Sequence, residues 1–145
     1  MAHKLQILVD LNVIVDVIQE RQPFYTDSAH ILDAVANRVV EGYMAAHTVT
    51  TLFYITARFA DRQTAAIALS RLLNFFRVAQ VDDQVIRNAL AWNWKDFEDA
   101  VQMAAALNAN LDYVITRNPK DFETQPVPVL EPAVFLTLLP AENEE

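Results

Sequence analysis

Residues 5–16 constrain this chain more than any other stretch. Leu5, Ile7, Leu8 and Val9 form a short run that is apolar almost throughout. Such a run suits a strand covered on both faces, as in a parallel sheet. From Leu11 onward the apolar residues spread out, with Leu11, Val13, Ile14, Val17 and Ile18 at helical spacing. Asp10 therefore falls at the joint between a buried strand and a helix. A carboxylate there is costly to desolvate unless a cation or a hydrogen-bond donor meets it. In open α/β sheets, ligands bind beyond the carboxyl ends of the strands. Asp10 also suits the N-cap of the following helix, and its position alone leaves both roles open.

The same alternation continues. The first strand covers 5–9 and the first helix 11–19. Pro23 suits the opening of a second helix over 24–36, because proline is well placed at a first helical position. A second strand is expected over 42–46. The capping-rich run Thr48-Val49-Thr50-Thr51 begins a third helix over 48–59. Asp61 can cap a helix over 62–73, and Asp82-Asp83 another after a third strand at 76–81. Asp96 opens the best helix in the chain, to about 109. Strands at 112–116 and 127–130 follow, then a last helix from Pro132 to 139 and an acidic tail at 141–145. Strands alternating with helices imply a parallel sheet covered on both sides. Right-handed crossovers place every strand C-terminus on one edge. With no repeat, linker or composition break in the sequence, residues 1–140 read as a single domain.

Composition narrows the function. At 145 residues, 53% hydrophobic and 21% charged, the chain can bury a proper core. No apolar run reaches the roughly 18 residues of a membrane helix. The N-terminus lacks the form of a signal peptide, and the absence of cysteine is what makes the cytoplasm the expected location. Without cysteine there are no disulfides, thiolate nucleophiles or cysteine zinc sites. His3, His30 and His47 make no zinc spacing. Gly42 is the one glycine, which argues against a phosphate-binding loop or dinucleotide fingerprint. A net charge of −8 argues against a broad basic nucleic-acid surface. A nucleic-acid partner would have to be engaged through local basic residues and metal ions.

The strand C-termini collect polar residues. Asp10 and Asn12 follow the first strand, His47, Thr48 and Thr51 the second, and Thr116, Arg117, Asn118 and Asp121 the fourth. Asp96, Asp99, Met103 and Ala106 share one helix face. Asp96 and Asp99 also suit simple capping and dipole roles at a helix N-terminus. Taken jointly, carboxylates converging in a crevice repel one another unless a cation joins them. With oxygen ligands and neither cysteine nor paired histidine, the favoured ion is Mg²⁺ or Mn²⁺.

Four blocks together resemble the PIN-domain family, the small metal-dependent ribonucleases that include VapC-type toxins. They are Val9-Asp10-Leu11-Asn12-Val13-Ile14-Val15-Asp16, Thr48-Val49-Thr50-Thr51-Leu52-Phe53-Tyr54, Asp96-Phe97-Glu98-Asp99-Ala100 and Val114 to Phe122. The resemblance covers about residues 5–130. It implies a three-layer α/β/α fold with a parallel sheet in the order 3-2-1-4-5. It implies an acidic cluster holding Mg²⁺ or Mn²⁺ for phosphodiester cleavage, with Asp10 as the first metal acid and Asp99 as the third. Asn12 matches the polar residue near the first acid. Thr116 and Asn118 match the loop where a fourth acid often sits. Thr51 is a departure, standing where the family's second acid, usually Glu, would be. Asp96 offers a partial replacement one turn from Asp99, and Asp16 a weaker one with a structural character.

On this basis the expected function is a metal-dependent ribonuclease, with Asp10, Asp99, Thr116 and Asn118 in the catalytic site. Asp10, Asp99 and Asp96 would hold the metal. Arg117 and Lys120 would contact the RNA backbone, or else belong to a solvated loop. The resemblance further implies single-stranded or looped RNA as substrate, an antitoxin protein as partner, and a homodimer. The alternative is a PIN-like domain that has lost catalysis through Thr51 and acts in binding or regulation. A phosphate-accepting receiver-like domain would need an acidic pair at the first strand and a suitably placed lysine, and neither is evident. Trp92, Trp94, Phe75 and Phe76 suit either an apolar interface or the core.

Overall fold

The computed structural model describes residues 3–140, and the acidic tail lies outside the described residues. Five parallel strands form one sheet in the order β3-β2-β1-β4-β5. They are β1 (Gln6–Val9), β2 (Glu41–Ala45), β3 (Phe76–Ala79), β4 (Tyr113–Ile115) and β5 (Val129–Leu130). The helices are α1 (Leu11–Ile18), α2 (Tyr25–Ala36), α3 (Ala46–Phe59), α4 (Arg62–Leu72), α5 (Asp83–Trp92), α6 (Phe97–Asn108) and α7 (Pro132–Leu136). A 3-10 turn covers Pro119–Asp121. This is the expected three-layer α/β/α sandwich, with the expected strand order.

Strand periodicity divides the core. Ile7 and Val9 point to the side packed by α1, α2, α3, α4 and α7, where Ile14, Ile31, Leu52 and Phe135 are buried. Leu8 points the other way, toward Val85, Ala89 and the Val101–Ala106 stretch of α5 and α6. Alternate side chains of a strand face opposite sides, so an apolar run in the middle strand serves both layers. Burying each such side chain contributes about 1.5–3 kcal/mol. Trp94 and Phe76 are buried, with Trp94 stacked on Trp92 at 5.6 Å and edge-on to Phe122 at 5.8 Å. These aromatics belong to the core packing.

Gly42 has a packing reason. A Cβ there would lie 2.6 Å from Val35 Cγ atoms and 2.9 Å from Phe76. Its absence lets α2 lie close on β2.

Some boundaries differ from the expectation. Pro23 does not open α2; it follows a cis Gln22–Pro23 bond in the preceding turn, and the helix begins at Tyr25. α3 begins at Ala46, directly from β2, without a side-chain cap. Thr50 and Thr51 do not cap it: their hydroxyls donate back to the His47 carbonyl, at 2.9 and 3.2 Å. Asp61, Asp82 and Asp96 do cap, each accepting from the backbone N–H three residues on.

Candidate functional site

Asp10 sits at the N-cap position of α1, but its side chain does not cap the helix. Its carbonyl takes the Val13 N–H instead, at 3.1 Å. The carboxylate is 5% exposed and turns to other elements. Gln102 Nε2 of α6 donates to Oδ1 at 2.7 Å, and Thr116 Oγ1, just past β4, donates to Oδ2 at 2.7 Å. Burial pushes the Asp10 carboxyl up, and the bonds from Thr116, Gln102 and the Leu11 backbone pull against it. No cation meets this acid among the described residues.

Thr116 is fixed from three sides. Its hydroxyl accepts from Asn12 Nδ2 at 3.3 Å and from the Asn118 backbone N–H at 3.3 Å, while donating to Asp10. A hydroxyl has one proton and two acceptor sites, so all three are used. Asn118 thus reaches the network through its backbone, and its side chain is not part of the crevice wall.

A crevice of about 210 Å³ opens over Asp10. Asn12, His47, Thr48, Asp96, Glu98, Asp99, Gln102 and Asp121 help to line it. Asp99 is half-buried in the first turn of α6, and Gln102 donates to it at 3.3 Å. Burial first, then the charges of Asp10, Asp96 and Asp121, push its carboxyl up to about 7. Asp96 combines the two roles its sequence position allowed. Its Oδ1 accepts from the Asp99 N–H at 3.0 Å as the α6 cap, and its charge bears on Asp99.

The donor chemistry of the crevice is that of a hard divalent cation site. Like-charged carboxylates crowd one crevice, and Gln102 Oε1 is buried beside them with no hydrogen-bond partner. Oxygen donors under mutual repulsion fit such an ion. The set is sparse: among the described residues, no three Asp, Glu or His side chains stand together as a ready-made ligand group. Thr51 contributes to that sparseness. It lies on α3 with its hydroxyl bound to the His47 carbonyl, and it is not in the crevice wall, which Thr48 and His47 occupy instead.

Two other expected residues lie elsewhere. Asp16 is fully buried on α1, with its Oδ2 2.8 Å from Arg117 Nε. Arg117, expected at the RNA backbone, is turned inward to this ion pair and stacked over Phe24, 4.2 Å from the ring centroid. The cause is electrostatic: a buried carboxylate without a counter-charge is far costlier than a loop arginine drawn in. Lys120 remains exposed in the 3-10 turn.

Of the lining residues, His47 and Asp121 stand at the strand C-termini as the sequence places them, whereas Gln102 and Glu98 are additions that only the fold brings in. Gln102 carried a usable signal. It is the one polar residue among Ala100–Ala106 and lies one turn beyond Asp99. His47 Nε2 lies 3.2 Å from the Glu98 carbonyl, a link between α3 and α6 that no local pattern could announce.

Known proteins share this fold. A family model described as PIN domain matches residues 6–120. Ribonuclease VapC1 of Aquifex aeolicus (strain VF5) is 22% identical over 135 residues, covering 90% of this chain and 92% of that protein. A toxin-antitoxin complex from Klebsiella pneumoniae contains a chain with TM-score 0.66 and 23% identity, covering 86% of this chain and 96% of that one. VapC20 of Mycobacterium tuberculosis, described as a sarcin-ricin loop cleaving toxin, aligns with TM-score 0.60 and 17% identity, covering 74% and 86%.

Proposed function

Because the chain belongs to the PIN-domain family, we propose that it is a divalent-metal-dependent ribonuclease, the toxin of a toxin–antitoxin pair. The observation that carries this reading is Asp10: a buried carboxylate at the strand edge, oriented by two neutral donors and facing Asp99 across an acidic crevice. Asp10 and Asp99 would hold the ion, with Asp96 and Asp121 adding charge nearby. When bound, Mg²⁺ or Mn²⁺ supplies Lewis acidity and neutralises charge on the scissile phosphate. Thr116 and Gln102 fix the Asp10 carboxylate, and Asn12 and Asn118 fix Thr116 in turn. Lys120 is the basic residue of the loop free to meet an RNA phosphate.

Single-stranded or looped RNA is the substrate class this reading takes, since VapC20 is described as cleaving a loop. An antitoxin protein is the partner it takes, since a chain of similar fold occurs in a toxin-antitoxin complex. The working unit is a homodimer of one domain, residues 1–140, in the cytoplasm. No helix among the described residues is long and apolar enough to cross a membrane.

Thr51 favours a second reading, a PIN domain whose reduced acid set binds RNA or protein without cleaving. The deciding experiment titrates Mn²⁺ and Mg²⁺ while following binding and cleavage of a mixed single-stranded RNA. The native chain, Asp10→Ala and Thr51→Glu are compared. Metal-dependent cleavage that Asp10→Ala abolishes supports the nuclease. Cleavage only in Thr51→Glu supports the binding domain. Absence of saturable metal binding at millimolar concentration sinks the nuclease reading.

A further inference from the structure

The Asp16–Arg117 pair shares no wall with the acidic crevice. Arg117 instead lines a separate cavity of about 150 Å³ with Phe24, Asp27, Ser28, Glu131 and Pro132. Yet it is one bond from the site. The Arg117 backbone N–H donates to Asn12 Oδ1 at 3.4 Å, and Asn12 Nδ2 donates to Thr116 Oγ1 at 3.3 Å. Thr116 then donates to Asp10 at 2.7 Å. Asn12 and Asp16 stand four residues apart on α1, so they share one helix face. α1 therefore grips the loop after β4 at two points, through Asn12 at the backbone and through Asp16 at the guanidinium.

We propose that Arg117 is a positioning residue: its ion pair with Asp16 holds the loop after β4 against α1 and so aims the Thr116 hydroxyl at Asp10. Two observations and one general rule carry this. Asp16 is 0% exposed and Arg117 side-chain exposure is 19%, so the pair is set into the fold. Buried pairs give little net stability compared with apolar packing of the same volume, so stability alone is a weak reason for one here. The hydroxyl that the loop delivers has a single proton, and that proton is committed to Asp10. A small loop displacement breaks this bond before it breaks the fold. The consequence for cleavage rests on the nuclease reading; the positioning itself does not.

The test compares the native chain with Asp16→Asn, Arg117→Gln, Arg117→Lys and the double variant Asp16→Asn/Arg117→Gln. Cleavage of a single-stranded RNA in Mn²⁺ gives kcat and KM, and metal-free RNA binding is measured across salt concentrations. Side-chain amide NMR signals of Asn12 and Gln102 report the network directly. Each single variant is expected to lower kcat by about ten- to a hundredfold, with KM and the salt slope of RNA binding unchanged. Arg117→Lys recovers part of the loss. The double variant falls no lower than the worse single one, because both act through one contact. It also leaves no unpaired buried charge, so it remains readable where a single variant does not fold. The Asn12 and Gln102 amide signals shift in every variant. The proposal is overturned if Arg117→Gln raises KM and flattens the salt slope while Asp16→Asn keeps native kcat, since that behaviour belongs to a phosphate contact. Unmoved Asn12 and Gln102 signals in the variants also overturn it. If the native chain cleaves no RNA, the nuclease reading fails, and the NMR shifts still decide the positioning.

Discussion

Both carboxylate oxygens of Asp10 accept hydrogen bonds from uncharged donors, and the charge itself has no counter-ion among the described residues. That is an unusual way to keep a carboxylate 5% exposed, because burial of a charge is costly unless it is paired. Neutral donors orient the group without neutralising it, which leaves the charge available to an incoming cation. Replacing it should therefore separate stability from binding. Asp10→Asn removes the buried charge at nearly constant volume. In EDTA the variant is expected to melt a few degrees above the native chain, on the scale of about 1 kcal/mol for a chain of this size. Added Mn²⁺ should raise the melting temperature of the native chain and leave that of Asp10→Asn unchanged. Thermal unfolding with and without the metal checks both halves. A variant that melts lower in EDTA would mean that the Gln102 and Thr116 bonds stabilise the fold more than the charge costs.

At the scale of the elements, α6 carries the second half of the site on its first turn. Asp96 is both its cap and one of the charges that raise Asp99, and two substitutions part these roles. Asp96→Ala should lower stability by about 1 kcal/mol, the usual worth of an N-cap, seen as a lower urea midpoint. Asp96→Ser keeps a capping oxygen and should hold the midpoint, while the Asp99 carboxyl titrates lower by carbon-13 NMR because a like charge is gone. Elements of this kind were legible because their signals are local. The apolar run of β1, the Asp caps of α4, α5 and α6 and the spacing of Asp96 with Asp99 all lie within a few residues of one another. The start of α3 was misplaced because β2 passes into it with neither a turn nor a side-chain cap, so the threonines that signalled a boundary lie inside the helix. Pro23 misled for a related reason: proline suits turns as well as first helical positions. What could not be read were contacts across the chain. Gln102 meets Asp10 over 92 positions and Arg117 meets Asp16 over 101, and only the folded sheet brings such partners together. Arg117 looked like a phosphate contact because nothing beside it in the sequence shows that Asp16 is buried.

For the whole molecule, acidity and fold are linked through the crevice. The chain carries a formal charge of −8, and its strand edge adds a local concentration of the same sign at Asp10, Asp96, Asp99 and Asp121. An acid whose folded-state pKa is raised holds its proton in the native state at pH values where the unfolded chain has already lost it. Between the ordinary carboxylate range and about 7, the native state then binds more protons, so stability falls as pH rises through that window. Asp99, pushed up to about 7, sets its upper end, and the raised Asp10 acts in the same direction. This is the reverse of the usual salt-bridged carboxylate, whose stabilisation is lost on acidification. In EDTA the native chain is expected to melt higher at pH 5.5 than at pH 7.5. Asp99→Asn should shrink that difference by raising the melting temperature at pH 7.5 more than at pH 5.5. A divalent cation should act in the same place by another route, since it compensates the ionised carboxylates and competes with their protons. Mn²⁺ should therefore raise the melting temperature strongly at pH 7.5 and weakly at pH 5.5. Thermal scans on the native chain and Asp99→Asn, at both pH values with and without Mn²⁺, measure all of this in one series. If native stability instead rises steadily from pH 5.5 to 7.5 in EDTA, the crevice does not hold its carboxylates in mutual repulsion, and the electrostatic reason for a cation there disappears.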